Sequence, residues 1–468
     1  MPLVLGGSAV VTPPYSIDNS CRFDAASSTS MLKISSAGDQ DKWTVSIWVK
    51  RGTIGATQYM TSWYQDNSNY TAVYFEADDT INFLNQIGGG VSGKLNTTRL
   101  FRDPAAWYHI VAVYDSGNDT SGDRQQIWVN GVRETDFITE SNVSLNEDSI
   151  GNKSGDDTIL GQKGDGGVYL SGYLAEVVLL DGTAATPTSF GEFNSASPTI
   201  WQPIDVSGLT FGTNGFHCDF EDSANLGNDA NGGTDLTETN FAAVDQATDS
   251  PTNNFPTANP LSGNAEGFAE GNLKVTDRAS TDYSFGACST MGAKKGKWYT
   301  EIKCGNVGAF FHIGILREGS EMSIAGDYPN GAGNLTYRSN GQVCVNAAAA
   351  VSWASTYSSG DIIGIAMDLE NQFLYFAKNG TWQDSGDPTS GASGTGTAFA
   401  SSDFSDDTYY FPYQAGYNTG IGEYNFGGCS VSAIASGNAD ANGYGNFEYA
   451  VPSGYYALCS KNLAEFGG

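Results

Sequence analysis

Runs of alternating residues, several closed by Asn-Gly pairs, recur in two separate stretches of this chain and constrain its fold more than any other feature. The first set is 43–50 (WTVSIWVK), 107–115 (WYHIVAVYD) and 126–131 (QIWVNG). The second is 296–301 (GKWYTE), 361–368 (DIIGIAMD) and 373–380 (FLYFAKNG). A period of two is the period of a β-strand, whose successive side chains point to opposite faces. Asn-Gly supplies the two residues that a tight hairpin turn needs. The two sets therefore predict two β-sandwiches in tandem. In the run 107–114, Trp107, His109, Val111 and Val113 share one face, and Tyr108, Ile110, Ala112 and Tyr114 share the other. Both faces are largely apolar, which predicts a central strand covered on both sides.

Composition agrees with an all-β chain. Gly occurs 59 times in 468 residues and only 16% of residues are charged, against norms of roughly 7% and 25%. Amphipathic helical runs are nearly absent. The length allows two to four domains with full cores. The expected division is an N-terminal arm over 1–20, a first sandwich over 21–195, an ordered connector over 196–265 and a second sandwich over 266–468. The connector is rich in Asn, Asp, Thr and Pro, and Phe255 and Leu261 are its expected anchors. Strands of the second sandwich are expected at 298–304, 309–316, 361–368, 372–378, 409–415 and 422–426. Asn340-Gly341 adds another hairpin signal.

The formal net charge is −30, from 22 basic and 52 acidic residues. That argues against nucleic acid, whose binding rests on clustered Lys and Arg, and against anionic membrane surfaces. Self-repulsion for solubility, a high-salt habitat, or acidic loops that hold divalent cations would each account for it. The seven Cys at 21, 218, 288, 304, 344, 429 and 459 show no zinc spacing. No signal-peptide pattern or apolar run of membrane-spanning length is read. Free, mostly buried thiols in a reducing cytoplasm are expected.

Few residues offer catalysis. A β-sandwich glucanase needs two carboxylates about 5 to 5.5 Å apart in the retaining case. Glu76-Ala-Asp78 and Glu134-Thr-Asp136 begin such a motif and do not complete it. His109 and His312 fall inside apolar strands and read as core residues. His217 precedes Cys218 with no third partner in sight. Asp115, Asp119 and Asp123 put three carboxylates within nine residues, a spacing that can serve Ca²⁺, and Asp156-Asp157 with Asp165 is a second acidic group. A solvated acidic turn is the plainer reading of both. Trp63, Tyr64, Asn67 and Tyr70 form an apparent aromatic and amide-rich loop. Trp353 and Tyr357, with Tyr328 beside Asp327, make a second group. Either group suits a subunit interface or sugar, whose C–H faces stack on aromatic rings.

The first stretch resembles the laminin-G-like, concanavalin A-like jelly roll, on W-T-V-S-I-W-V-K, W-Y-H-I-V-A-V-Y-D, I-W-V-N-G and G-Y-L-A-E-V-V-L-L-D-G. The second resembles a SPRY domain, on G-K-W-Y-T-E-I, F-F-H-I-G-I, G-D-I-I-G-I-A-M-D-L, L-Y-F-A-K-N-G and Y-Y-F-P-Y-Q-A. The first resemblance implies a rim loop able to take calcium, the one cofactor considered; none is required. The pairing of the two resembles virion structural proteins of marine tailed phages. It implies a non-enzymatic head or tail fibre, knob or appendage, assembled in the host cytoplasm. Its implied partners are other virion proteins, further copies of itself (a homo-oligomer such as a trimer) and host surface glycan. A carbohydrate-binding lectin and, behind it, a glycan-degrading enzyme are the competing readings.

Overall fold

The computed structural model describes residues 15–263, 265–279, 283–320, 324–325, 328–329, 333–345, 351–399 and 401–467. The chain is nearly all β, and the contacts of the described residues divide it into two compact units that meet at Thr252/Asn253. Most of the expected arm, residues 1–14, lies outside the described residues.

The first unit packs two sheets face to face. One runs in the order Val132–Arg133, Gln125–Val129, Trp107–Asp115, Lys42–Arg51, Gly172–Asp181, Ser20–Phe23, Gln246–Ala247, with Phe216–Cys218 beside Gly172–Asp181. The other runs Phe137–Ser141, Gly90–Thr97, Ile81–Ile87, Asn69–Phe75, Gln58–Asp66, Asp157–Leu160, Ser30–Ile34, Thr237–Thr239. Between them Trp43 stacks on Tyr114, ring centroids 5.5 Å apart and planes 3° from parallel, and meets Trp63 at 4.4 Å. Trp107–Asp115 is central, as its pattern requires. Tyr108, Ile110, Ala112 and Tyr114 enter the main core, while Val111 and Val113 are covered by Phe190, Val206 and Phe211 on the outside.

The expected connector is divided. Phe216–Cys218, Thr237–Thr239 and Gln246–Ala247 pair with strands of the first sandwich, and the unit boundary falls at Thr252/Asn253. Strands of two or three residues are too short to show a period, so the sequence reads as a link where it completes two sheets. Phe255 is buried against Tyr299 and Phe447 in the second unit, whereas Leu261 is 60% exposed and anchors nothing.

The second unit repeats the plan. One sheet runs Gly267–Ala269, Lys274–Thr276, Ile421–Asn425, Lys297–Asn306, Ile362–Asp368, Phe373–Lys378, Thr381–Trp382. The opposing sheet includes Tyr283–Cys288, Tyr410–Tyr417, Phe310–Arg317, Asn334–Arg338 and Gln342–Val345. The six expected strands agree with the observed ones to within two residues at every end. Asn379 and Gly380 take φ of +48° and +76°, the paired left-handed geometry of a two-residue hairpin turn.

Candidate functional site

The stretch 63–70 is a β-hairpin rather than a loop. Gln58–Asp66 and Asn69–Phe75 pair antiparallel around Asn67-Ser68, with Tyr64 opposite Tyr70. Asp66 closes the turn by accepting from the Ser68 N–H at 2.7 Å and from the Asn69 amide. Alternation then sends Tyr64 to the outer face of the sheet and Trp63 inward. Trp63 is 1% exposed in the core against Trp43, so it has no face to offer a ligand. That corrects its place among the candidates.

Register builds the rest of the outer face. Tyr64, Tyr70 and Gln86 form one row across three strands, and Tyr59, Tyr74, Asn82 and Asn96 form another across four. Ser62, Ala72, Leu84 and Lys94 lie between them. Tyr59 and Tyr74 stack at 4.5 Å with planes 7° apart. Glu76 accepts from the Tyr74 hydroxyl at 3.2 Å and from the Asn82 amide at 2.7 Å. Burial holds the Tyr59 and Tyr74 hydroxyls above the usual phenol range, so both remain donors.

A turn at 162–169 roofs part of this face. Gly164 sits on the Tyr64 ring so closely that a Cβ there would lie 2.0 Å from it. The Lys163 ammonium is 5.6 Å from the Tyr70 ring centroid, a cation–π distance, and reaches Asn67 Oδ1 at 3.2 Å and Asp165 at 2.5 Å. Tyr64 and Tyr70 remain half-buried and Asn67 exposed. The sequence reading missed Tyr59, Tyr74 and Lys163. Alternation through 58–75 carries the signal for the two tyrosines; nothing local signals Lys163.

In the second aromatic group, Trp353 and Tyr357 do not form a face. Tyr357 is 4% exposed, its hydroxyl 2.6 Å from the Phe311 carbonyl and 3.0 Å from that of Tyr337. It is a core residue, which corrects its candidacy. Trp353 packs edge-on to Tyr337 and Phe376, half-buried. Tyr328 lies in the short strand Tyr328–Pro329; its side chain, and Asp327, lie outside the described residues.

Asp115, Asp119 and Asp123 do not converge. Asp115 pairs with Lys42 at 3.6 Å and Asp123 with Arg133 at 2.7 Å. Asp165 is taken by Lys163 and Asp156 by Lys153. Among the described residues no group of three or more His, Cys, Asp or Glu could hold a metal ion.

The strands also sort the residues with catalytic potential. His217 and Cys218 are adjacent on one strand and face opposite ways: Cys218 enters the core, while His217 Nε2 lies 2.8 Å from Glu176. They cannot act as a pair. Ser46 Oγ lies 2.7 Å from His109 Nε2, yet both are buried and His109 Nδ1 accepts from the Trp201 indole at 2.8 Å. That acceptor role places the ring proton on Nε2, the wrong tautomer for a general base toward Ser46. Asp78 is held by Thr80 and Glu134 by Arg99.

Residues 25–188 match a family model described as the concanavalin A-like lectin/glucanases superfamily. No curated protein matches the chain at a significant level. Similar solved structures include the SPRY domain of human HERC1 (16% identity, 34% of this chain and 90% of that one, TM-score 0.26). A heptameric SAP-like pentraxin from Limulus polyphemus is also similar (21%, 37% and 80%, 0.28). So is a candidate carbohydrate-binding protein from Bacteroides ovatus (14%, 48% and 59%, 0.33).

Proposed function

We propose that this chain binds glycan through the tyrosine face of its first unit and does not cleave what it binds. The observation that carries this reading is the cross-strand pair Tyr64 and Tyr70 at the hairpin tip, flanked by Asn67 and Lys163. Half-exposed rings accept sugar C–H faces, and amide, ammonium and carboxylate groups beside them accept and donate to hydroxyls. The match of residues 25–188 to a lectin and glucanase superfamily supports it. Hydrolysis would need a second carboxylate poised opposite the first, and Asp78, the nearest in sequence to Glu76, is engaged by its own turn.

The order of the two sandwiches carries the wider reading: a virion appendage of a tailed phage, present as a homo-oligomer beside other virion proteins. Several copies on one particle would raise a weak glycan contact by effective concentration. Glycan-array binding by the full chain tests the first claim. Binding that falls at least tenfold in Tyr70→Ala, with the thermal midpoint kept, is expected; array binding unchanged by Tyr70→Ala would remove this face from consideration. Light scattering tests assembly, and a monomer at all concentrations would exclude self-association.

A further inference from the structure

The second unit holds a half-enclosed cavity of about 250 Å³ on the outer face of the sheet that contains Lys297–Asn306. Its floor is set by register. Glu301 stands opposite Asn425, and Lys303 opposite Glu423, on neighbouring antiparallel strands. Residues two apart on a strand share a face, so these four side chains make one polar square. Segment 430–435 arches over it and supplies an apolar wall that includes Val431 and Ile434, with Glu448 at the side.

Charge in this cavity is unbalanced. Lys303 is the one cation among the described lining residues, and it is already engaged, 3.3 Å from Glu423 and 2.7 Å from Ser432 Oγ. Glu301 is buried, and it accepts hydrogen bonds from four uncharged donors. They are the Tyr299 hydroxyl, the Glu448 and Tyr449 N–H groups at 2.9 Å each, and the Asn425 amide at 3.4 Å. Glu448 accepts from the Ala435 N–H at 2.8 Å. Burial, with Glu448 adding to it, pushes the Glu301 carboxyl above its usual range. Three carboxylates therefore share one ammonium beside an apolar wall, with Glu301 buried and Glu423 and Glu448 half-buried at the opening.

From this we infer that the cavity is a binding site for a small organic cation, an alkyl- or arylammonium whose apolar body lies against Val431 and Ile434. The ammonium sits toward Glu448, whereas Glu423 already pairs with Lys303. The site binds and does not react: each Glu301 oxygen already accepts two hydrogen bonds, which leaves it poorly placed to exchange a proton with a ligand.

The test is calorimetric titration of the full chain with benzylammonium and with its neutral counterpart, benzyl alcohol, at pH 7 and low salt. Benzylammonium is expected to bind at least tenfold more tightly, and its affinity should fall as salt rises. Glu448→Gln should erase the preference. Ile434→Trp, which fills the cavity from a partly exposed position, should abolish binding of both probes with the thermal midpoint kept. Equal affinity for the two probes, binding of neither, or binding that survives Ile434→Trp would each overturn the inference. None of these outcomes touches the tyrosine face of the first unit, so the two readings fail separately.

Discussion

The indole N–H of Trp201 donates to Nδ1 of His109 at 2.8 Å, inside a column where His109 also stacks on Trp48 at 4.6 Å. The imidazole is thereby fixed as the neutral tautomer, and burial pushes its pKa down to about 3. His312 in the second unit is pushed down to about 3 by burial and by Arg338. Both folded values lie below the unfolded value near 6.5. The unfolded chain therefore takes up protons first as pH falls. Their stabilisation is complete above about pH 6.5 and is lost between there and pH 3, by up to about 1.4 kcal/mol per pH unit for each ring. Imidazole NMR shifts of both residues should stay constant from pH 8 to 4.5 while the thermal midpoint falls. Titration of either ring near pH 6.5 in the folded chain would refute the assignment.

Gly131 should resist substitution for two reasons at once. It adopts φ of +76° in the Asn130-Gly131 turn, and a Cβ there would lie 2.3 Å from the Trp201 ring. Gly155 has φ of +86° with open space around it. Gly155→Ala is expected to cost about 1 kcal/mol, the left-handed penalty alone. Gly131→Ala adds displacement of the indole and should cost about 2–4 kcal/mol. Denaturant unfolding of the two variants measures the difference.

Asp277 is fully buried, and burial raises its carboxyl well above the ordinary range. Its folded value exceeds the unfolded value, so its contribution is fullest below about pH 4 and declines as pH rises. Asp277→Asn should therefore raise the thermal midpoint more at pH 8 than at pH 4. A larger gain at pH 4 would contradict a neutral buried acid.

Metal removal should leave the protein unchanged. Asp115 and Asp123 are committed to Lys42 and Arg133, and separated carboxylates do not make an oxygen cage. EDTA is expected to alter neither the thermal midpoint nor the solution mass. A drop in either on chelation, reversed by calcium, would show that these loops rearrange around an ion.

Trp63 and Tyr64 are neighbours that should behave as opposites. Trp63→Ala removes a core ring and is expected to cost about 3–5 kcal/mol. Tyr64→Ala should change stability by about 1 kcal/mol or less and instead weaken glycan binding. Paired unfolding and array measurements separate the two effects.

The amino-acid sequence by itself determined the class of fold, the two sandwiches and most of their long strands. Period-two patterns such as 107–115 and 361–368 are local properties, and Asn379-Gly380 encodes its turn in two residues. It also carried the resemblance of 25–188 to a lectin-like sandwich. What it left open was which phase of each alternation faces inward, because that depends on a partner strand many residues away. The pairing of Gln58–Asp66 with Asn69–Phe75 slips between Tyr59 and Thr61, and the placement of Trp63 inside and Tyr64 outside follows from the assembled sheet. Residues 196–252 show no period, so only their pairing with Ser20–Phe23, Ser30–Ile34 and Gly172–Asp181 reveals them as part of the first sandwich. The cavity at Glu301 gathers side chains from segments more than a hundred residues apart in sequence. Antiparallel register alone sets Glu301 beside Asn425 and Lys303 beside Glu423, and no local pattern encodes a register between distant strands.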